Sequence, residues 1–162
     1  MLRQSPMGKI LSFADLPAWR QSQKDCIIVA TNGCFDILHT GHLRYLQAAR
    51  QLGDGLIVGV NSDESVRALK GPNRPLNPEA DRAEMLAGLS VVDWVVVFSE
   101  TRAVNFLNAV KPHIYVKGGD YTTAQLDQDE VAAVTRNGGQ IRILPLVPGR
   151  STTGLIERLQ SK

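Results

Sequence analysis

Cys26-Ile27-Ile28-Val29-Ala30-Thr31-Asn32-Gly33-Cys34-Phe35-Asp36-Ile37-Leu38-His39-Thr40-Gly41-His42 is the stretch that decides the fold of this chain. Its apolar opening, Cys26 to Thr31, predicts a buried strand, and the polar residues that follow predict a short loop. The histidine pair with its intervening glycine marks a helix start. Unpaired backbone N–H groups and the positive end of the macrodipole make such a start favourable for an anion. Residues at i and i+3 share a helix face, so His39 and His42 converge on one phosphate, and Gly41 removes the side chain that would obstruct it. Thr31, Asn32 and the backbone of Gly33-Cys34-Phe35 add polar groups at the strand's carboxyl end, where open α/β sheets bind ligands. The same H-x-x-H pattern also occurs as half of a zinc site or as exposed residues of a first turn. A closed zinc site needs about four ligands, and Cys34, Cys26 and the distant His113 do not supply the rest.

With 162 residues, 43% of them hydrophobic and 21% charged, the chain fits one ordinary globular domain able to bury a core without staples. No apolar run is long enough to span a bilayer, and Met1 to Ser12 carries no secretory signal. Two cysteines do not make a disulfide framework and suggest a reducing, cytoplasmic setting. A net charge of +2 gives no argument for nucleic acid or membrane as a partner.

Five apolar runs read as strands: Cys26 to Thr31, Leu56 to Asn61, Trp94 to Phe98, Ile114 to Lys117 and Ile141 to Leu144. Helical patterns lie between and after them: Leu43, Leu46, Ala49 and Leu52 up to Gly53, Pro78 to Leu89, Ala103 to Val110, Asp129 to Asn137 before Gly138, and Thr152 to Leu159. Alternating strands and helices imply right-handed crossovers onto a parallel sheet. The expectation is a Rossmann-like three-layer α/β/α sandwich on a five-stranded, mostly parallel sheet. Residues 1–25 form a leader with a possible short helix, Leu11 to Gln23, interrupted by Pro17, and residues 26–162 form the domain.

Lys70-Gly71-Pro72-Asn73-Arg74-Pro75-Leu76-Asn77-Pro78 reads as a mobile loop over the site, bringing Lys70 and Arg74 to phosphate, while Arg82 offers a cation on the helix that follows. Lys117-Gly118-Gly119-Asp120-Tyr121 and Gly149-Arg150-Ser151-Thr152-Thr153 fall at further strand ends. The first lets a flat ring approach the backbone, and the second makes another anion cradle at a helix start. Together these turns and the histidines describe a nucleoside pocket with phosphate donors on both sides.

Thr31-Asn32-Gly33-Cys34-Phe35-Asp36 through His39-Thr40-Gly41-His42, with Ser151-Thr152-Thr153 later, resembles the HxGH nucleotidyltransferases over residues 26–160. Val60-Asn61-Ser62-Asp63, Lys70, Arg74-Pro75, Asn77-Pro78, Arg82 and Val116-Lys117-Gly118-Gly119-Asp120-Tyr121 are most similar to the adenylyltransferase domain of the bifunctional ADP-heptose synthesis proteins. That resemblance implies transfer of AMP from ATP to D-glycero-β-D-manno-heptose 1-phosphate, giving ADP-heptose for lipopolysaccharide precursors. It also implies a separate heptose kinase and a phosphatase step beforehand. The chain departs from the related glycerol-phosphate cytidylyltransferases, whose last motif has an arginine where Leu146 stands and a small apolar residue where Arg150 stands.

On this resemblance the expected mechanism is direct in-line attack on the α-phosphorus, catalysed by positioning and charge stabilisation. His39, His42, Lys70 and Arg82 would act on the ATP phosphates, Arg74 and Arg150 on the substrate phosphate, and Thr31, Asn32, Gly33, Cys34, Phe35, Gly41, Lys117, Gly118, Asp120, Tyr121, Ser151, Thr152 and Thr153 on the nucleotide. Mg²⁺ would accompany ATP, with Asp36 either beside it or orienting the histidine loop. The alternatives are a cytidylyltransferase for glycerol 3-phosphate or a related polyol phosphate, an adenylyltransferase making a flavin or pantetheine nucleotide, and a non-catalytic nucleotide-binding domain. Neither G-x-G-x-x-G at the first loop nor a P-loop motif is present. Homodimers are the commonest assembly of such domains, and a dimer is expected.

Overall fold

Period-2 alternation of apolar side chains along the strands determines how this protein is layered, because each strand must bury both of its faces. In the computed structural model, which describes residues 10–119 and 122–161, Ile28, Ala30, Ile57, Val96 and Tyr115 face one side of the sheet, packed with Leu16, Trp19, Phe106, Leu107 and Val134. The residues next to them in sequence, Val29, Leu56, Val58, Val95 and Val116, face the other, packed with Leu46, Ala49, Ala83, Leu86 and Ala87. Two apolar cores thus sandwich one sheet. At Gly59 a Cβ would come within 3.0 Å of the Phe106 ring, so the bare backbone is what lets that aromatic lie on the strand.

In chain order the elements are β1 (Ile10–Leu11), α1 (Leu16–Ser22), β2 (Ile28–Gly33), α2 (Thr40–Arg50), β3 (Gly55–Asn61), α3 (Asp63–Lys70), α4 (Glu79–Gly88), β4 (Trp94–Phe98), α5 (Val104–Val110), β5 (Ile114–Gly118), α6 (Gln128–Arg136), β6 (Gln140–Leu144) and α7 (Thr152–Gln160). The expected α/β sandwich is present, but the sheet has six strands rather than five, in the order β1-β4-β3-β2-β5-β6. All its pairings are parallel. The additional strand is β1, whose Ile10 and Leu11 pair with Val95 and Val96. Two residues leave no periodicity to detect, which is why the sequence does not announce them. Pro17 opens α1 instead of interrupting it, since the first turn of a helix needs no N–H from that position. Leu16 and Trp19 of α1 are buried, and Trp19 meets Trp94 edge-on with centroids 5.2 Å apart.

Helix α3 was not anticipated. Ser62 caps it by accepting the Ser65 N–H, Asp63 and Glu64 lie in its first turn, and Arg67 and Lys70 in its last, which is the charge order a helix dipole favours. The chain runs β2, β3, β4 outward on one side and then returns to place β5 and β6 on the other side of β2. That reversal between β2 and β5 is the switch point at which such sheets bind ligands. Here it is physically open, because β2 and β5 pair only at Val29 with Ile114 and Ala30 with Tyr115.

Candidate active site

Beyond Ala30 the β2–β5 ladder stops, and two hydroxyls take over its hydrogen bonding. Thr31 Oγ1 and Tyr45 Oη both donate to the Val116 carbonyl at 3.0 Å and lie 2.8 Å from each other. Thr31 is therefore fully buried beneath the site and does not line it. Burial pushes the Tyr45 phenol up to about 12, so its proton stays available for this bridge. Above the split lies a cavity of about 710 Å³ lined by Asn32, Gly33, Cys34, Phe35, Asp36, His39, Gly41, His42, Lys70, Arg74, Lys117, Gly118, Arg150, Ser151, Thr152 and Thr153 among others. One space thus gathers most of the expected site residues. Asp120 and Tyr121 lie outside the described residues.

The histidine loop ends with His39 as the N-cap of α2. Its Nδ1 accepts the Gly41 N–H at 3.1 Å, and the His39 N–H is 3.4 Å from His42 Nδ1. A neutral imidazole that accepts at Nδ1 carries its proton at Nε2, so each ring keeps an Nε2–H for a ligand. Both rings are held neutral. Burial, then His39 and the Lys70 cation, lowers His42 to about 4, while burial and Arg150 lower His39. The ring centroids are 3.9 Å apart, and Phe35 meets His42 edge-on. A Cβ on Gly41 would come within 2.8 Å of the His39 ring and 3.0 Å of the Arg150 Cβ, so glycine is required where the second cradle closes on the first. In that second cradle Ser151 caps α7 by accepting the Gly154 N–H, and Thr152 Oγ1 reaches the Ile37 carbonyl at 3.4 Å.

Asp36 is buried, and hydrogen bonds occupy its carboxylate. Arg74 Nε lies 2.7 Å from Oδ2, and the Leu76 and Asn77 N–H groups bond the two oxygens at 2.8 to 2.9 Å. Burial raises its pKa, but the bonds from Asn77, Leu76 and Arg74 outweigh burial and hold the carboxyl below its ordinary range. The Lys70–Pro78 segment is accordingly tied to the histidine loop rather than loose above it. Arg74 lines the cavity, and its NH2 is buried with no hydrogen-bond partner.

The structure directs Arg82 away from the phosphate region assigned to it from sequence. It is 2% exposed and does not line the cavity. Its Nε donates to the Asn77 carbonyl, NH1 to the Cys34 carbonyl and NH2 to Asp63 Oδ1, at 3.0, 2.6 and 2.8 Å. One guanidinium thus joins the histidine loop, the Lys70 loop and α3, whose last residue is Lys70 itself. The Cys34 thiol is raised by burial in spite of the cations around it, which disfavours a nucleophilic thiolate.

Cavity residues given no site role from sequence are Tyr45, Gln125, Leu126, Asp127, Glu130, Leu146 and Val147. Leu146 figures there only as a departure from a related motif, and Asp127 is of an N-cap residue type and accepts the N–H groups of Asp129 and Glu130. For a metal, the donor set is poor: among the described residues no group of three or more His, Cys, Asp or Glu could hold one. Asp36 has no oxygen to spare, so Mg²⁺ fits here only as part of a nucleotide complex, held by phosphate and water.

Comparison with known proteins agrees with this geometry. The cytidylyltransferase-like family model matches residues 30–158. A bifunctional protein HldE from Nitratiruptor sp. is 52% identical over 134 residues, covering 83% of this chain and 28% of that protein. The chain therefore spans only about a quarter of the length of this relative. A solved lipopolysaccharide core biosynthesis protein from Thermoplasma volcanium is 31% identical with a TM-score of 0.62, covering 75% of this chain and 97% of that one. A pantoate-beta-alanine ligase from Francisella tularensis, 16% identical with a TM-score of 0.57 over 90% of this chain and 69% of its own, shares the fold. With the family match, the paired histidines and the switch-point cavity in agreement, the chain belongs to the cytidylyltransferase-like family of HxGH nucleotidyltransferases.

Proposed function

We propose that this protein transfers AMP from ATP to D-glycero-β-D-manno-heptose 1-phosphate, releasing pyrophosphate and ADP-heptose. The observation that carries this reading is the 52% identity to a bifunctional HldE protein over the stretch that builds the cavity. The acceptor phosphate is already ionised near neutral pH and needs no general base, so catalysis reduces to alignment and charge stabilisation. His39 and His42 donate from Nε2 to oxygens of the α- and β-phosphates, where charge accumulates as the bond to pyrophosphate breaks. Lys70 adds a cation on the same side, and the Arg74 guanidinium, also lining the cavity, takes an acceptor phosphate oxygen. Arg150, facing His39 across Gly41, covers the phosphates from the α7 side. Bound with ATP, Mg²⁺ would supply charge neutralisation of the triphosphate. The acceptor comes from kinase and phosphatase steps acting before this one.

The family description keeps a second reading in view, a cytidylyltransferase acting on glycerol 3-phosphate. Pyrophosphate release with Mg²⁺, crossing ATP and CTP against heptose 1-phosphate and glycerol 3-phosphate, separates the two. Release only with ATP and the heptose phosphate is the expected result. Release with CTP and glycerol phosphate would replace the proposal with the second reading, and silence in every pair would refute both.

A further inference from the structure

A closed polar network at the floor of the crevice takes no part in the transfer chemistry described above. Glu130 of α6 is 5% exposed. Its Oε1 accepts the Ala103 N–H at 2.8 Å, and its Oε2 accepts the Tyr115 hydroxyl at 3.0 Å and lies 3.2 Å from Lys117 Nζ. Lys117 Nζ is also 3.4 Å from Asn32 Oδ1 and 5.2 Å from the Tyr115 ring centroid. The single Tyr115 O–H is shared between Glu130 Oε2 and the same Asn32 oxygen, which lies 2.5 Å away. Asn32 and Lys117 each lie one residue before the end of their strands, β2 and β5, so the network spans the two strands whose separation opens the site.

Donor counting shows what is left for a ligand. An ammonium has three N–H groups, and Glu130 and Asn32 take two of Lys117's, leaving one for the cavity that Lys117 lines. Asn32 Oδ1 is occupied from beneath, which turns its Nδ2–H₂ toward the same cavity. A lysine on its flexible stem would otherwise sample many positions. A buried carboxylate that is paired and multiply hydrogen-bonded fixes one of them.

We infer that Glu130 is a positioning residue that aims the Lys117 ammonium, and with Tyr115 the Asn32 amide, so that both donate to an oxygen of the nucleotide at the switch point. This rests on the nucleotidyl-transfer reading. Glu130 also joins the start of α5 to α6 through Ala103, so its test must distinguish aim from scaffold. Glu130→Gln keeps an oxygen for the Ala103 N–H and removes both the charge and the oxygen that faces Tyr115 and Lys117, while Lys117→Met keeps the stem and removes the ammonium.

The test is a double-mutant cycle on the full chain, reading by calorimetry the Kd of ATP and of CTP with Mg²⁺ for the wild type, each single variant and the double variant. The expected result is a tenfold weaker Kd for Glu130→Gln in the wild-type background and less than a twofold change in the Lys117→Met background, each roughly. Equal factors in both backgrounds would overturn the inference and leave Glu130 a purely structural link, as would unchanged or tighter binding in Glu130→Gln. Should Glu130→Gln fail to fold, the double variant, which leaves no unpaired buried charge, is compared with Lys117→Met alone, and a further loss beyond about twofold overturns the inference. Coupling seen with CTP but not ATP would change the proposed nucleotide and support the network, and a wild type that binds neither refutes both.

Discussion

In the proposed reaction His39 and His42 work as neutral donors, and that follows from where their protons sit rather than from the motif as a string. Each Nδ1 faces a backbone N–H, so a ring can donate to phosphate from Nε2 without becoming charged. Removing one such donor from a developing charge costs about 10²- to 10³-fold in turnover. His42→Ala is therefore expected to lower kcat by about that factor with an unchanged circular-dichroism spectrum. A folded variant with wild-type turnover would remove the histidines from the chemistry. The neutral state is separately measurable: the His42 Hε1 resonance of the free protein should titrate with a midpoint near 4, below the ordinary 6.5. Because the unfolded chain takes up that proton first, stability contributed at this site is flat above about pH 6.5 and falls as the pH drops toward 4. A midpoint near 6.5 would contradict a ring held neutral by burial.

At the scale of elements, Asp36 and Arg82 decide how firmly the site segments are joined. Asp36→Asn replaces one accepting oxygen with an NH₂ that opposes Arg74 and the Leu76 and Asn77 N–H groups. Amide exchange at Leu76 and Asn77 should accelerate by about tenfold or more, as expected for a lost charge-assisted bond; unchanged protection would show that the loop is held by something else. Arg82→Met breaks a pair whose arginine side chain is 1% exposed and releases two carbonyls. Urea denaturation should report a loss of about 3 to 5 kcal/mol, and a loss under about 1 kcal/mol would contradict the clamp. The sequence presents Arg82 as a cation near a phosphate site and Asp36 as a carboxylate either near a metal or orienting the histidine loop, and it names the partners of neither. Their partners are 19 and 38 residues away in the chain, respectively, and no local pattern encodes such pairings. The long periodic elements were legible because hydrophobic burial imposes their period. Helix α3 carried a cap and the right charge order, but its eight residues give little more than two turns of periodicity to detect.

The whole molecule explains why one cavity collects residues from so many segments. Its sheet reverses direction of growth between β2 and β5, and the ladder there stops after Val29 and Ala30. The strand ends, the α2 start and the α7 start then face one another across the gap. That convergence was inferable from alternating strands and helices, as were the histidines, Lys70 and the Ser151-Thr152-Thr153 turn. The polar floor of Tyr45, Tyr115 and Glu130 was not, because each reads in sequence as an ordinary amphipathic position and acquires its role only when β5 and α6 meet β2. In the function we propose, this cavity aligns two substrates for a single displacement with no enzyme-bound nucleotidyl group. Stereochemistry at phosphorus tests that most directly, using ATP made chiral at its α-phosphorus by sulfur substitution and heptose 1-phosphate as acceptor. Inversion of configuration in the ADP-heptose formed is the predicted result, and retention, the mark of two successive displacements through a covalent intermediate, would contradict it.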